Sequence, residues 1–267
     1  MDIIKLYFAF GRINFLRQTQ YRKEYAFRMI FKSIYWGSLF LMLYVLLNSF
    51  GSIGVWSMYE VMFLYSFNVL SYSIAGTFFI TFEGLATRIH SGDFDAILTK
   101  PVNPFAHYMV NGVSAGYVNN FIICGIVMWI SLSNMTVAIT PARVLYFFAA
   151  LAGGVLIHAA AFVITNVPAF WLIKNSSIQR LFYDQLGRGF MEYPISIYHR
   201  ALQIMLTFIL PYAFISFYPV QFLLGKDDLL GFPTWIVFLT PLVGAALFGI
   251  GYLFWNMGIN HYKSTGS

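Results

Sequence analysis

Residues 87–105 read TRIHSGDFDAILTKPVNPF and bring Arg88, His90, Asp93, Asp95 and Lys100 into one short passage. A histidine beside two carboxylates is material for acid–base chemistry, so an active site is the first reading to test. No motif in the chain supports it. The sole Gly-Lys pair, Gly225-Lys226, is followed by Asp227, and Val220 stands where a phosphate-binding loop needs its first glycine. His-Glu-x-x-His, Gly-x-Ser-x-Gly and Cys-x-x-Cys patterns do not occur. The lone Cys124 permits neither an internal disulfide nor a cysteine-based zinc site, and in its apolar run it reads as a small packing residue. His158 is the one titratable group deep in an apolar interval, where a neutral imidazole bonded to a neighbouring helix is favoured over a ligand or a proton relay. An enzyme reading therefore has no sequence feature behind it.

The elements that must hold the polar passage are hydrophobic. Of 267 residues, 59% are hydrophobic, 20% aromatic and only 10% charged, with a mean hydropathy of +0.70, a composition of integral membrane proteins. A bilayer core takes about 20 helical residues and penalises ionised side chains at its centre. Intervals free of Lys, Arg, Asp and Glu then predict six helices, near 33–51, 59–82, 106–131, 144–173, 201–224 and 235–258. The fold class expected is all-α, a six-helix transmembrane domain over residues 29–262 with a short cytoplasmic tail at 263–267. The opening MDIIKLYFAFGRINF lacks the order of basic, apolar and small residues that a signal peptide needs, and is expected to stay on the chain.

The net charge of +6 reports orientation before it suggests nucleic acid, and no nucleic-acid partner is expected. With both termini cytoplasmic, all 16 basic residues except Arg143 and Lys226 fall on the cytoplasmic side. This predicts a multi-pass protein of a cell inner (cytoplasmic) membrane. Residues 1–28 place Lys5, Arg12, Arg17, Arg22 and Lys23 among apolar residues at helical spacing, which predicts an amphipathic helix on membrane lipid or a docking surface for a cytoplasmic partner. Residues 174–200 are too charged to span and are expected as a second cytoplasmic segment. All ten acidic residues then lie in loops or at span ends, which disfavours an ion-coupled transporter.

Within the spans, Gly112 and Gly116, the overlapping Ala149, Ala150, Gly153 and Gly154, and Ala245 and Gly249 offer close helix packing. Asn68, Asn119, Asn120, Thr165 and Asn166 are expected to bond between helices more than to line a path. Pro168, Pro211 and Pro241 predict kinks or broken helices, with packing favoured over cavity lining.

By this topology residues 83–105 join spans two and three on the cytoplasmic side. Ser91-Gly92-Asp93 starts a short helix, Phe94, Ala96, Ile97 and Leu98 give it an apolar face, and Pro101 stops it. Arg88, Gly92, Asp95, Leu98, Pro101 and Pro104 in their spacing resemble the coupling segment of type-2 ATP-binding-cassette (ABC-2) permeases, in particular the six-helix DUF990-type branch. Glu192-Tyr-Pro194-Ile-Ser-Ile-Tyr198 and the run from Leu206 to Gly225 are similar to the same family before and through its fifth span. His199, where proline is common, and Lys100, where arginine is frequent, depart from its pattern.

The resemblance implies an exporter permease that binds no cofactor itself. It implies a dimer with the same or a homologous permease, served by two copies of a separate ABC ATPase that holds ATP and Mg. Arg88, Gly92, Asp93, Phe94, Asp95, Ile97, Leu98, Pro101 and Pro104 would then couple ATPase closure to the spans, with the basic N-terminal residues as a second contact. Gly92 would permit the sharp entry, Asp95 would cap the helix or pair with a base, and the apolar face would pack on the ATPase or on the permease. The alternative is a structural or regulatory membrane subunit that moves nothing.

Overall fold

The computed structural model describes residues 12, 13, 16, 20, 22–172, 181–183 and 189–262. Lys5, Arg17, Lys174, Arg180, Asp184, Arg188 and the tail from Lys263 lie outside the described residues, as does most of the expected N-terminal helix. The described chain is almost wholly helical. Helix α1 (Arg22–Phe50) leads through the two-residue strands β1 (Ser52–Ile53) and β2 (Trp56–Ser57), which pair antiparallel, into α2 (Met58–Phe79). After a 3-10 turn at Ile80–Gly84 come three short helices, α3 (Leu85–His90), α4 (Asp95–Leu98) and α5 (Pro104–Asn111). Helices α6 (Val118–Ser133) and α7 (Pro141–Asn166) follow. After Tyr198 come α8 (Arg200–Ile204), continued by a π turn, α9 (Phe217–Leu224) and α10 (Thr240–His261).

Four helical stretches are long and apolar enough to cross a bilayer: Lys23–Ser49, Met58–His90, Pro141–Phe170 and Thr234–His261. Arg200–Ile209 and Tyr212–Leu224 make a fifth only as a pair, bent by 79° where Pro211 interrupts the helix. The expected third span, 106–131, is divided into α5 and α6, and its apolar part is only 16 residues. The division has a local cause. Ser114 N donates to Thr77 O at 2.8 Å, and a Cβ on Gly112 would lie 1.5 Å from Thr81 Oγ1, so the chain turns against α2 there.

Caps set the starts. Thr140 Oγ1 accepts from Arg143 N at 3.3 Å with Pro141 at the first helical position, and Asn103 Oδ1 accepts from Ala106 N at 3.1 Å ahead of Pro104. The helices then pack through small residues. A Cβ on Gly153 would meet Thr240 O at 2.7 Å, and one on Gly244 would meet Gly153 O at 2.4 Å, so α7 and α10 cross backbone to backbone. Gly249, offered by the sequence for the same purpose, has nothing within 4 Å of its would-be Cβ.

The bundle has two distinct ends. At the hairpin end Lys226 pairs with Glu60 at 2.9 Å and donates to Val55 O at 2.8 Å, while Trp56 Nε1 donates to Asp228 Oδ2 at 2.7 Å. At the opposite end Phe82, Phe105, Tyr108, Phe170, Trp255 and Tyr262 form an aromatic cluster, with Trp255 fully buried and its ring centroid 5.2–5.7 Å from those of Phe82, Phe105, Tyr108 and Phe170. The described part of residues 174–200 does not stand apart from the bundle. Tyr183 is buried against His158 and Phe162, and Asn68 Nδ2 donates to Met191 O at 3.5 Å. Arg200, counted by charge with the opposite end, donates to Leu230 O at 2.6 Å and lies 4.9 Å from the Phe232 ring, toward the hairpin end.

Candidate functional site

The polar passage folds onto the aromatic end. Gly92 takes φ +76°, a left-handed conformation that suits glycine, and turns the chain between α3 and α4. Main-chain bonds close the turn: Phe94 N donates to Arg88 O at 3.1 Å and Asp95 N to Gly92 O at 3.1 Å. Ser91 Oγ donates to Asp93 Oδ2 at 2.7 Å on the exposed side. The turn drives Phe94 inward. Its ring is fully buried, with centroids 5.1 Å from Tyr262, 5.3 Å from Phe170, 6.0 Å from Trp255 and 6.3 Å from Tyr108. Ile97 is buried and Leu98 packs on the same core, whereas Asp93, Ala96, Thr99, Lys100 and Pro101 are exposed. The short helix thus has one face in the bundle and one face in solvent.

Polar contacts tie the same segment to α5 and α10. Tyr262 Oη donates to Asp95 Oδ1 at 2.8 Å, tying the start of α4 to the end of α10. Burial first, and then Asp95 as acceptor and as charge, push the Tyr262 hydroxyl up to about 12, so it keeps its proton and remains a donor. Arg88 lies 5.1 Å over the Tyr108 ring. Lys100 Nζ stands 3.0 Å and Asn111 Nδ2 2.7 Å from His107 Nε2, which must therefore accept, leaving the ring proton on Nδ1. Burial, and next the Lys100 charge, hold His107 below its ordinary 6.5. Pro104 is half-buried at the start of α5. Among the basic residues expected as a second contact, Arg12 and Lys23 are exposed, and Arg22 opens α1.

A second polar group sits midway along the bundle. His158, fully buried on α7, lies 3.2 Å by Nε2 from Asn68 Oδ1 on α2 and 3.1 Å by Nδ1 from Tyr183 Oη. Asn120 Nδ2 donates to Ser73 Oγ at 2.8 Å, and Asn119 Nδ2 to Met29 O and Ser33 Oγ at 2.6 and 2.7 Å, each linking two helices. Thr165 and Asn166 instead bond back to Ala161 O and Phe162 O within α7. Glu192 joins Trp36, Tyr65, Asn68, Val69, Tyr72 and His158 around a cleft of about 20 Å³. Sequence reasoning missed this carboxylate, because Glu192 lies in a charged passage whose depth is set by contacts with α2 and not by its own hydropathy.

An apolar cavity of about 410 Å³ lies between α7, α10 and the break in the bent pair, with Pro168 and Pro211 both in its wall. Among the described residues no group of three or more His, Cys, Asp or Glu could hold a metal ion. The arrangement offers mechanical linkage and binding surfaces.

Residues 33–266 match the family described as ABC-2 family transporter protein. The chain belongs to that family. No curated protein and no solved structure matches it. This ABC-2 chain is a multi-pass transport component of a membrane, and the family generally pairs such permeases with an ATPase subunit.

Proposed function

We propose that this ABC-2 chain is the permease of an exporter driven by a separate cytoplasmic ATPase, two copies of which bind ATP and Mg and engage the 88–104 segment. Substrate moves along the seam between two permease subunits, the second being a copy or a homologue. The aromatic end faces the cytoplasm and the hairpin end the outside of an inner (cytoplasmic) membrane.

One observation carries the coupling reading. The α4 segment is exposed on one face yet anchored on the other by Phe94, Ile97 and the Asp95–Tyr262 bond, which join it to the ends of α7 and α10. A force applied to Asp93, Ala96 or Thr99 reaches two spans through packed rings and not through a loose loop. Arg88, Gly92, Asp95, Leu98, Pro101 and Pro104 shape this handle, and Arg12 and Lys23 offer a second contact.

The test is a double change, Asp95→Lys with Gly92→Ala, in the permease purified with its ATPase. ATP hydrolysis should continue while transport into inverted vesicles falls, with the bundle still folded by thermal unfolding. Full transport by the double variant, or the absence of any ATPase in a pulldown of the native chain, would overturn the proposal.

A further inference from the structure

At the hairpin end the two basic residues that depart from the charge asymmetry of the chain are treated differently by the fold. Lys226 is paired with Glu60 at 2.9 Å. Arg143, in the first turn of α7, donates from Nη1 to Ala138 O at 2.8 Å and meets no carboxylate among the described residues. A guanidinium has five N–H donors, so one neutral carbonyl leaves its charge and most of its donors open to a ligand. The side chain is nevertheless positioned. Gly225 turns the end of α9 with φ +70°, and a Cβ there would lie 3.0 Å from Arg143 Nη2, so the half-buried guanidinium is seated over that turn.

An apolar groove of about 250 Å³ opens beside this charge. Phe63 of α2, Leu132 of α6, Val144 and Phe148 of α7 and Leu223 of α9 line it, and Arg143 is the one charged residue in its described wall. An apolar space of about 150 Å³ already takes benzene, so this groove has room for a longer piece of hydrocarbon. It also runs along membrane-crossing helices. Met58–His90 and Pro141–Phe170 are both long and apolar enough to span a bilayer. At 1.5 Å per residue, Arg143 stands ~3 Å and Phe148 ~10 Å from the start of α7, and Phe63 ~8 Å from the start of α2. A bound molecule therefore meets a positive charge at the end of the spans and hydrocarbon further in. Guanidinium takes phosphate oxygens in pairs, a soluble anion would leave the apolar wall uncovered, and a choline headgroup would bring a second positive charge to Arg143.

We infer that this groove binds an anionic phospholipid from the leaflet at the hairpin end, with its phosphate on Arg143 and one acyl chain against Phe63, Val144 and Phe148. The site lies at the opposite end of the bundle from the 88–104 segment. It needs no ATPase and goes beyond the permease reading, so its test stands or falls separately.

The purified full-length chain, released from nanodiscs of equal phosphatidylglycerol and phosphatidylcholine, is read by native mass spectrometry for retained lipid. The unaltered chain should keep one more phosphatidylglycerol than Arg143→Gln. Its affinity for dihexanoyl-phosphatidylglycerol should fall about tenfold in that variant, as loss of a charge-assisted hydrogen bond does. Arg143→Lys, which keeps the charge without the planar fork, should lose less. Val144→Trp keeps the charge but fills the groove and should also lose the lipid, so it carries the test should Arg143→Gln fold poorly. Glycerol 3-phosphate, the same headgroup chemistry without a chain, should not displace the lipid. Retention unchanged in both Arg143→Gln and Val144→Trp would overturn the inference, as would displacement by phosphatidylcholine or glycerol 3-phosphate as readily as by dihexanoyl-phosphatidylglycerol. A disulfide between two copies of Phe148→Cys in native membranes would place a second permease on the groove and equally overturn it.

Discussion

Replacing Phe94 by alanine tests whether the handle is anchored in the permease or presented to its partner. The ring is fully buried and meets Tyr262, Phe170 and Trp255 at centroid distances of 5.1, 5.3 and 6.0 Å. Truncating a buried phenylalanine costs ~3–5 kcal/mol, of which each lost aromatic pair supplies ~0.5–1.5 kcal/mol. Asp93, one residue earlier and exposed, should tolerate alanine within ~0.5 kcal/mol. Phe94→Leu retains most of the apolar burial and should lie between the two. Reversible denaturant unfolding in mixed micelles measures the stabilities, and co-purification measures ATPase association. Phe94→Ala should lose stability first and coupling as a consequence. If it proved as stable as Asp93→Ala while ATPase binding disappeared, the ring would face the partner and the anchoring argument would fail.

Three further outcomes follow from the packing and the charges. Gly153→Ala should destabilise the bundle by ~1–3 kcal/mol, because its Cβ meets main-chain atoms of Thr240 and Pro241 at 2.7–2.9 Å, while Gly249→Ala, in open space, should be neutral or slightly stabilising by unfolding in the same micelles. His107 is held below 6.5 in the folded chain, so the unfolded chain binds more protons as pH falls through 6.5. Stability should therefore drop on acidification from neutral pH until the lowered folded value is passed, and His107→Gln should flatten that slope in a pH series of unfolding midpoints. Tyr262→Phe removes the donor to the half-buried Asp95 and should cost ~1 kcal/mol, seen as a lower midpoint without a change in secondary structure by circular dichroism.

Much of this fold was legible from local chemistry. Intervals without charge located α1, α2, α7 and α10, because the cost of an ion in a bilayer acts on each stretch of chain by itself. The Gly92 turn was equally readable, since a left-handed turn needs only neighbouring residues, whereas the spans expected from 106 and 144 start earlier, at the Asn103-Pro104 and Thr140-Pro141 caps. The handle was therefore found before its surroundings were known. Which way Phe94 points was not, because its ring meets partners far away in sequence on α7's end and α10.

The sequence by itself determined a helical membrane chain with a polar handle between apolar helices, and its motifs resembled the family to which it belongs. Tertiary structure alone decided that the third apolar interval breaks where Gly112 and Ser114 meet α2, and how far the break expected at Pro211 bends the later pair, by 79°. It also decided the position of Glu192. Composition assigned that residue to a water-exposed passage, since a carboxylate next to aromatic and polar residues has no local mark of depth. Contact with Asn68, more than a hundred residues away in sequence, carries the passage to the middle of the bundle. Burial depth is a property of the partners a segment finds, and those partners are not written in the segment.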